Sequence, residues 1–211
     1  MWNSQVIVML LEGIRDTLYM TLASTLFGYI IGLPMGIVLT VTDKDGIRPN
    51  AAVYKVLDVI SNLLRSIPFI ILLFVVGRSY GSTATIVPLT IAAAPYIARM
   101  VESSLKEVDA GVIEAARSMG ASDFQIVTRV MLVEARTSLI VGATISLGTI
   151  LGYSAMAGTV GGGGLGDIAI RYGYTRWQTD IMVVTVVLLV ILFQIFQTIG
   201  MKIANRLDRR K

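Results

Sequence analysis

The chain has 211 residues, of which 55% are hydrophobic and only 15% are charged, and its formal net charge is +4 at neutral pH. A soluble domain carries about 25% charged residues, so this composition indicates an integral membrane protein. The sequence contains neither cysteine nor histidine, which excludes disulfides, Cys/His metal sites and Ser-His-Asp catalysis. We therefore expect a chain that is not an enzyme, with no catalytic residue and no metal site.

Five stretches of the sequence are apolar enough to cross a membrane as helices. A helix that spans the hydrocarbon core needs about 20 mostly apolar residues. We therefore predict an all-α integral membrane protein with one transmembrane domain, 1–211. The shorter apolar stretch 2–11 is predicted to lie at the membrane interface. The five predicted spans are 17–42, 58–78, 79–104, 137–160 and 180–203.

Basic residues predict the orientation of these spans, because Lys and Arg concentrate on cytoplasmic segments. If the chain crosses the membrane five times, most of its 18 Lys and Arg residues lie on the same side of the membrane as the polar segment 106–135. We therefore predict that this segment and the C-terminus are cytoplasmic and that the N-terminus is outside. The basic tail 206–211 is expected to contact anionic lipid, and we expect no nucleic-acid binding.

The segment 106–135 is the one long stretch that a membrane span cannot explain. Asp109 is placed to cap a first helix, and Gly120 can end it with a left-handed residue. Ser122 and Gln125 have the spacing of a capping box, which opens a second helix. Such a hairpin either docks a soluble protein, packs against its own membrane helices or binds DNA, and its few basic residues disfavour DNA.

The hairpin carries Glu114-Ala115-Ala116, then three residues, then Gly120, which resembles the EAA loop in the membrane subunits of ABC uptake transporters. In that family the loop forms coupling helices that sit in a groove of the ATPase subunit. Because Val133 stands where the family usually has Pro, we expect the second helix to run on straighter into 134–135. The resemblance implies an ATPase-coupling surface made of Glu114, Ala115, Ala116, Arg117, Gly120, Ala121, Ser122 and Asp123.

Four other segments, 65–70, 94–102, 152–156 and 160–166, resemble the methionine-uptake permeases of that family. The resemblance implies an ABC type I importer permease fold in the cell inner membrane. It also implies a homodimer with two ATP-binding subunits and an extracytoplasmic methionine-binding lipoprotein. No Gly-x4-Gly-Lys-Ser/Thr motif is present, so we expect no cofactor in this chain and ATP with magnesium in the partner. A permease for another amino acid or small polar solute and a self-contained carrier or channel are the alternatives.

By the same resemblance, the fourth predicted span lines the substrate pathway. A Met side chain there would offer an adaptable surface to a thioether, although packing in the core or against lipid explains these residues as well. Prolines that interrupt the second and third predicted spans free backbone carbonyls to face a cavity. The predicted pathway residues are Tyr153, Ser154, Met156, Pro68 and Pro95, and Pro88 is a further predicted break.

Glycines follow the fourth span so densely that a plain turn does not explain them. We predict an outer lid made of Gly161, Gly162, Gly163, Gly164 and Gly166. Their spacing formally matches a dinucleotide-binding fingerprint, but no strand precedes it, which excludes that reading.

Two further patterns lie within the spans. Gly28, Gly32 and Gly36 recur every four residues in the first span, which predicts close helix packing within one subunit. Arg99, Glu102 and Lys106 are predicted to form ion pairs along one helix. No acidic residue lies deep in any predicted span, which argues against coupling to protons or sodium.

Overall fold

A computed structural model describes residues 4–76 and 81–208, and the elements in both ranges are helices. Some predicted features lie outside the described residues. They are Trp2, the segment 77–80 where two predicted spans meet, and residues 209–211 of the basic tail. The α-helices are α1 (Ser4–Thr42), α2 (Ala51–Ser66), α3 (Phe69–Val76), α4 (Ser82–Lys106), α5 (Ala110–Ser118), α6 (Asp123–Gln125), α7 (Leu132–Glu134), α8 (Arg136–Met156), α9 (Gly164–Ile168) and α10 (Thr179–Leu207). Between them lie π-helical stretches at Ile126–Met131 and Ala169–Tyr174 and a 3-10 turn at Ala157–Val160.

Among the described residues, four helices are long and apolar enough to cross a membrane, namely α1, α4, α8 together with the 3-10 turn that follows it, and α10. The helices α2 and α3 meet that requirement only as a pair, and they are bent by 90° relative to each other. The break lies at Ile67, whose backbone is extended (φ −75°, ψ 120°) because Pro68 disfavours a helical residue before it. The second predicted span is therefore a bent pair of helices, which agrees with the predicted break at Pro68.

The first helix extends further toward the N-terminus than the predicted span 17–42. It has 39 residues and is continuous from Ser4, so the residues from Ser4 to Leu11 are the beginning of α1 and not a separate helix. At about 1.5 Å per residue this helix is about 58 Å long, whereas the hydrocarbon core is about 30 Å thick. An end of α1 must therefore extend beyond the core or the helix must tilt strongly.

The glycines of α1 bring its backbone against α4. A Cβ atom at Gly32 would lie 2.6 Å from the carbonyl oxygen of Ala94, and one at Gly36 would lie 2.5 Å from that of Ala98. Only glycine leaves room for this approach. The predicted packing within one chain is thus confirmed.

The prediction that Pro88 and Pro95 interrupt the third span is wrong. Helix α4 runs without a break from Ser82 to Lys106, and both prolines are buried. Neighbouring helices can support a proline-containing helix in a membrane protein, and here α1 packs tightly along α4.

The apolar core joins α1, α4 and α8 to the hairpin. Met20, Leu89, Ile97, Ile126 and Ile150 are fully buried there and come from four separate parts of the chain. Helix α10 lies at the periphery and leaves most of its apolar side chains exposed, as expected of a helix that faces lipid.

Candidate functional site

The polar hairpin forms as its capping residues predict. The Asp109 side chain accepts a hydrogen bond from the Gly111 amide at 2.7 Å and so begins α5. Gly120 has a left-handed backbone (φ 82°), and its amide donates to the Arg117 carbonyl at 2.9 Å. This geometry is a glycine C-cap, and it turns the chain sharply after α5.

The second arm of the hairpin begins with the predicted capping box. The Ser122 amide donates to Gln125 Oε1 at 2.9 Å, and the Gln125 amide donates to Ser122 Oγ at 3.4 Å. Beyond this cap, a π-helical stretch at Ile126–Met131 joins α6 to α7, and α7 ends at Glu134. The second arm is therefore helical as far as Glu134, but its central part is π-helical and not α-helical.

The inner face of the hairpin packs against the rest of the chain. Ala116 is buried there and belongs to the same core cluster as Val127 and Met131. Its small side chain lets the second arm pack closely on α5. Ala116 therefore holds the two arms together and does not lie on the surface with the other predicted coupling residues.

The outer face carries two large apolar side chains. Met119 is 82% exposed and Phe124 is 76% exposed, at either side of the turn. Glu114, Ala115 and Asp123 are exposed on the same hairpin. Two large apolar side chains this exposed, among polar neighbours, are a candidate protein-binding surface. The sequence prediction did not include Phe124, although an aromatic side chain two residues after the helix cap Ser122 was a usable signal.

Arg117 connects the hairpin to the loop between α1 and α2. Its Nη2 atom donates to the Ile47 carbonyl oxygen at 2.8 Å. A cavity of about 440 Å³ lies beside this contact, between the loop and α5, and Glu114 and Lys106 are among its lining residues. The predicted coupling residue Arg117 thus holds the hairpin in place from the side.

Three of the predicted pathway residues lie near the bend between α2 and α3. The ring of Tyr153 stacks on that of Phe69, with 4.5 Å between ring centroids and 15° between planes. Phe69 follows Pro68, which is exposed at the bend, and Met156 is exposed one helical turn beyond Tyr153. The structure therefore joins the broken span to α8 through an aromatic pair.

The other two predicted pathway residues lie inside the helix packing. Ser154 is 1% exposed, donates to the Leu151 carbonyl at 2.7 Å and accepts from Thr21 Oγ1 at 3.5 Å. Pro95 is buried within α4. Neither side chain is open to a solute path along the surface of this chain.

The glycine-rich segment is packed closely against three helices. A Cβ atom at Gly158 would lie 2.2 Å from the carbonyl carbon of Gly166, and one at Gly164 would lie 2.7 Å from Thr17 Oγ1. The Leu165 amide donates to Thr17 Oγ1 at 2.9 Å. These glycines permit close approach of backbones, and their movement as an outer lid stays a prediction.

Comparison with known proteins agrees with this arrangement. Residues 20–211 match the family described as "Binding-protein-dependent transport system inner membrane component". The chain is 46% identical over 210 residues to the "Probable D-methionine transport system permease protein MetI" of Vibrio cholerae, covering 96% of this chain and 93% of that protein. It is 51% identical over 158 residues to the D-methionine transport system permease protein MetI of Escherichia coli K12, covering 71% and 73%.

Solved structures give the same fold. A structure of the MetNI methionine ABC transporter in inward-facing conformations aligns with a TM-score of 0.93 at 46% identity, covering 99% of this chain and 100% of that chain. An amino acid ABC transporter aligns with a TM-score of 0.79 over 98% of this chain at 19% identity, which supports the fold alone. The predicted fold of an ABC type I importer permease is thus confirmed. The chain belongs to the family of binding-protein-dependent transport system inner membrane components.

Proposed function

We propose that this chain is the permease subunit of an ATP-driven ABC importer that carries methionine across the inner membrane. The observation that carries the proposal is a folded polar hairpin with two strongly exposed apolar side chains, which lies between helices long and apolar enough to cross a membrane. Relatives that are 44–51% identical are named D-methionine permeases, which points to methionine as the solute.

The hairpin is the proposed site of contact with an ATP-binding subunit. Met119 and Phe124 would fill apolar depressions in that subunit, while Glu114 and Asp123 would make charge-assisted hydrogen bonds at the rim. ATP and magnesium would bind to the partner, and this chain would need no cofactor of its own. The arrangement requires that the hairpin and the C-terminus are cytoplasmic and that the N-terminus is outside.

A second copy of this chain would complete the pathway. The α2–α3 pair leaves Leu63, Phe74 and Val75 exposed, and its second helix begins at Phe69 of the Phe69–Tyr153 stack. Five spans make too thin a wall to enclose a solute path alone. We therefore place a homodimer interface along this pair, with the pathway beside the two-fold axis and a methionine-binding lipoprotein at its outer end.

Reconstitution in liposomes tests the proposed function. Vesicles with this chain, its ATP-binding subunit and the binding protein are expected to accumulate radiolabelled methionine only when ATP is supplied. Vesicles with this chain alone are expected to show no flux. Flux without ATP would support a self-contained carrier or channel, and stimulation of ATP turnover by a different solute would support a related permease.

Removal of side chains near the bend tests the pathway. In the assembled transporter, Tyr153→Ala is expected to lower methionine uptake by up to about tenfold, because an aromatic pair contributes about 0.5–1.5 kcal/mol beyond its buried area. Met156→Ala is expected to lower uptake less. Uptake would be measured against methionine concentration, with Met201→Ala on the peripheral α10 as the control. Unchanged uptake in both variants would remove these residues from the pathway.

A further inference from the structure

Five charged side chains form one connected group at the hairpin end of α4. Lys106 Nζ lies 2.6 Å from Asp43 Oδ2 and 2.8 Å from Glu102 Oε1. Arg99 Nη1 lies 2.7 Å from Glu102 Oε2, and Arg99 Nη2 pairs with the Asp58 carboxylate. The pairs within α4 confirm the predicted ladder, and its extension to Asp43 and Asp58 was not predicted. The group is named here the charge cluster.

The charge cluster holds α2 against α4. Ser61 is the one buried residue of α2, so apolar packing contributes little to the position of this helix. Polar contacts take that role: the Tyr54 hydroxyl donates to Glu102 Oε1 at 3.3 Å, and Arg99 Nη2 donates to Asn62 Oδ1 at 3.2 Å. Because these bonds are directional, they fix the place of α2 along α4.

The hairpin contacts the charge cluster at two points. Lys106 is the last residue of α4 and leads directly into the hairpin. Asp43 begins the loop that carries Ile47, whose carbonyl oxygen accepts the hydrogen bond from Arg117 on α5. A displacement of the hairpin therefore acts on the cluster both through the chain and through Arg117.

Glu102 is the buried member of the charge cluster, whereas Lys106 and Asp58 are partly exposed. The Glu102 side chain is 6% exposed and accepts hydrogen bonds from both Arg99 and Lys106. The hydrogen bond from the Lys106 ammonium group lowers the pKa of the Asp43 carboxyl group. A buried carboxylate left without its partners is costly, so we expect Arg99 and Lys106 to stay with Glu102 when the cluster moves.

We infer that the charge cluster carries movement of the hairpin to the α2–α3 pair, with Arg99 and Glu102 as positioning residues for transport. The inference rests on the proposed function of the chain. Helix α3 begins with Phe69, which stacks on Tyr153, so a displacement of α2 reaches the aromatic pair beside the proposed pathway.

The first test compares transport with ATP hydrolysis in the reconstituted transporter. Asp58→Asn removes the charge on α2 with little change in shape and leaves Arg99 paired with Glu102. We expect methionine transported per ATP hydrolysed to fall about tenfold, the factor typical for loss of one charge-assisted hydrogen bond, while hydrolysis continues. Asp58→Glu is expected to restore the ratio, and Asp45→Asn, in an exposed pair outside the cluster, is the matched control.

The second test needs no methionine. Because the chain has no cysteine, a spin label can be attached at Lys55→Cys, which is exposed on α2 away from the face of Leu63, and its distance measured between two copies. We expect this distance to differ between nucleotide-free and ATP-bound complexes, and we expect the difference to be lost in Asp58→Asn. If the Asp58→Asn chain does not assemble into the transporter, Asp43→Asn removes the charge on the α1 side of the cluster instead. The same loss of the distance change and of methionine transported per ATP is expected for it.

The outcomes separate the two proposals. An unchanged distance response in Asp58→Asn, or uptake and hydrolysis that fall in parallel, would overturn the inference about the charge cluster. A parent complex without ATP-driven methionine uptake would overturn the proposed function, while the label on α2 would still report whether the cluster carries movement.

Discussion

Replacement of Gly120 by Pro is expected to uncouple methionine uptake from ATP hydrolysis while the chain still inserts in the membrane. Gly120 has φ 82°, whereas proline fixes φ near −65°, and proline also removes the amide that bonds the Arg117 carbonyl. The turn between α5 and α6 cannot form with this residue. We expect uptake per ATP hydrolysed to fall at least about tenfold, because a broken turn misplaces Met119 and Phe124 together.

Asparagine at the same position is the matched control for this prediction. Asn tolerates the left-handed conformation, so Gly120→Asn is expected to retain most of the coupled uptake. Both variants would be compared for membrane insertion, for co-purification with the ATP-binding subunit and for methionine transported per ATP. If Gly120→Pro transported as much methionine per ATP as the parent chain, the role given to the hairpin would be contradicted.

Replacement of Gly32 by Ala is expected to destabilise the chain, although alanine normally favours a helix. The added methyl group would lie 2.6 Å from the carbonyl oxygen of Ala94, so α1 and α4 would have to separate along their common interface. Overpacking of this kind costs about 1–3 kcal/mol, more than the roughly 0.5–1 kcal/mol that Ala gains over Gly in a helix.

Gly142 provides a control at which the same substitution is not expected to destabilise the chain. A Cβ atom there would meet Met100 Cε at 3.4 Å, an ordinary contact. Gly142→Ala is therefore expected to leave the thermal unfolding temperature in detergent unchanged or higher, whereas Gly32→Ala is expected to lower it by several degrees. An equal response in the two variants would show that the spacing of α1 and α4 does not depend on Gly32.

Local sequence signals predicted the hairpin well. Asp109, Gly120 and the Ser122–Gln125 pair each act within a few residues, and the structure contains every one of these caps. Long apolar stretches likewise predicted where the long helices lie. These features depend on residues that are close to each other in the sequence. The sequence alone is therefore enough to predict them.

Packing between distant segments accounts for what was missed. Helix α2 ends before Pro68, whereas α4 continues through Pro88 and packs along α1, a neighbour that the local sequence does not reveal. Ala116 faces inward because the second arm of the hairpin covers it. Asp58 joins Arg99 across 41 positions of sequence, a pairing that no local pattern indicates.

The central claim is that the hairpin contacts the ATP-binding subunit on the cytoplasmic side, and a cross-link tests it directly. The cysteine-free chain allows one reactive site at a time, so Met119→Cys on the hairpin can be compared with Tyr174→Cys, which is exposed before α10. In the assembled transporter, a short bifunctional reagent is expected to join Met119→Cys to the ATP-binding subunit and to leave Tyr174→Cys unlinked to it. A cross-link from Tyr174→Cys and none from Met119→Cys would contradict both the orientation of the chain and the role of its hairpin.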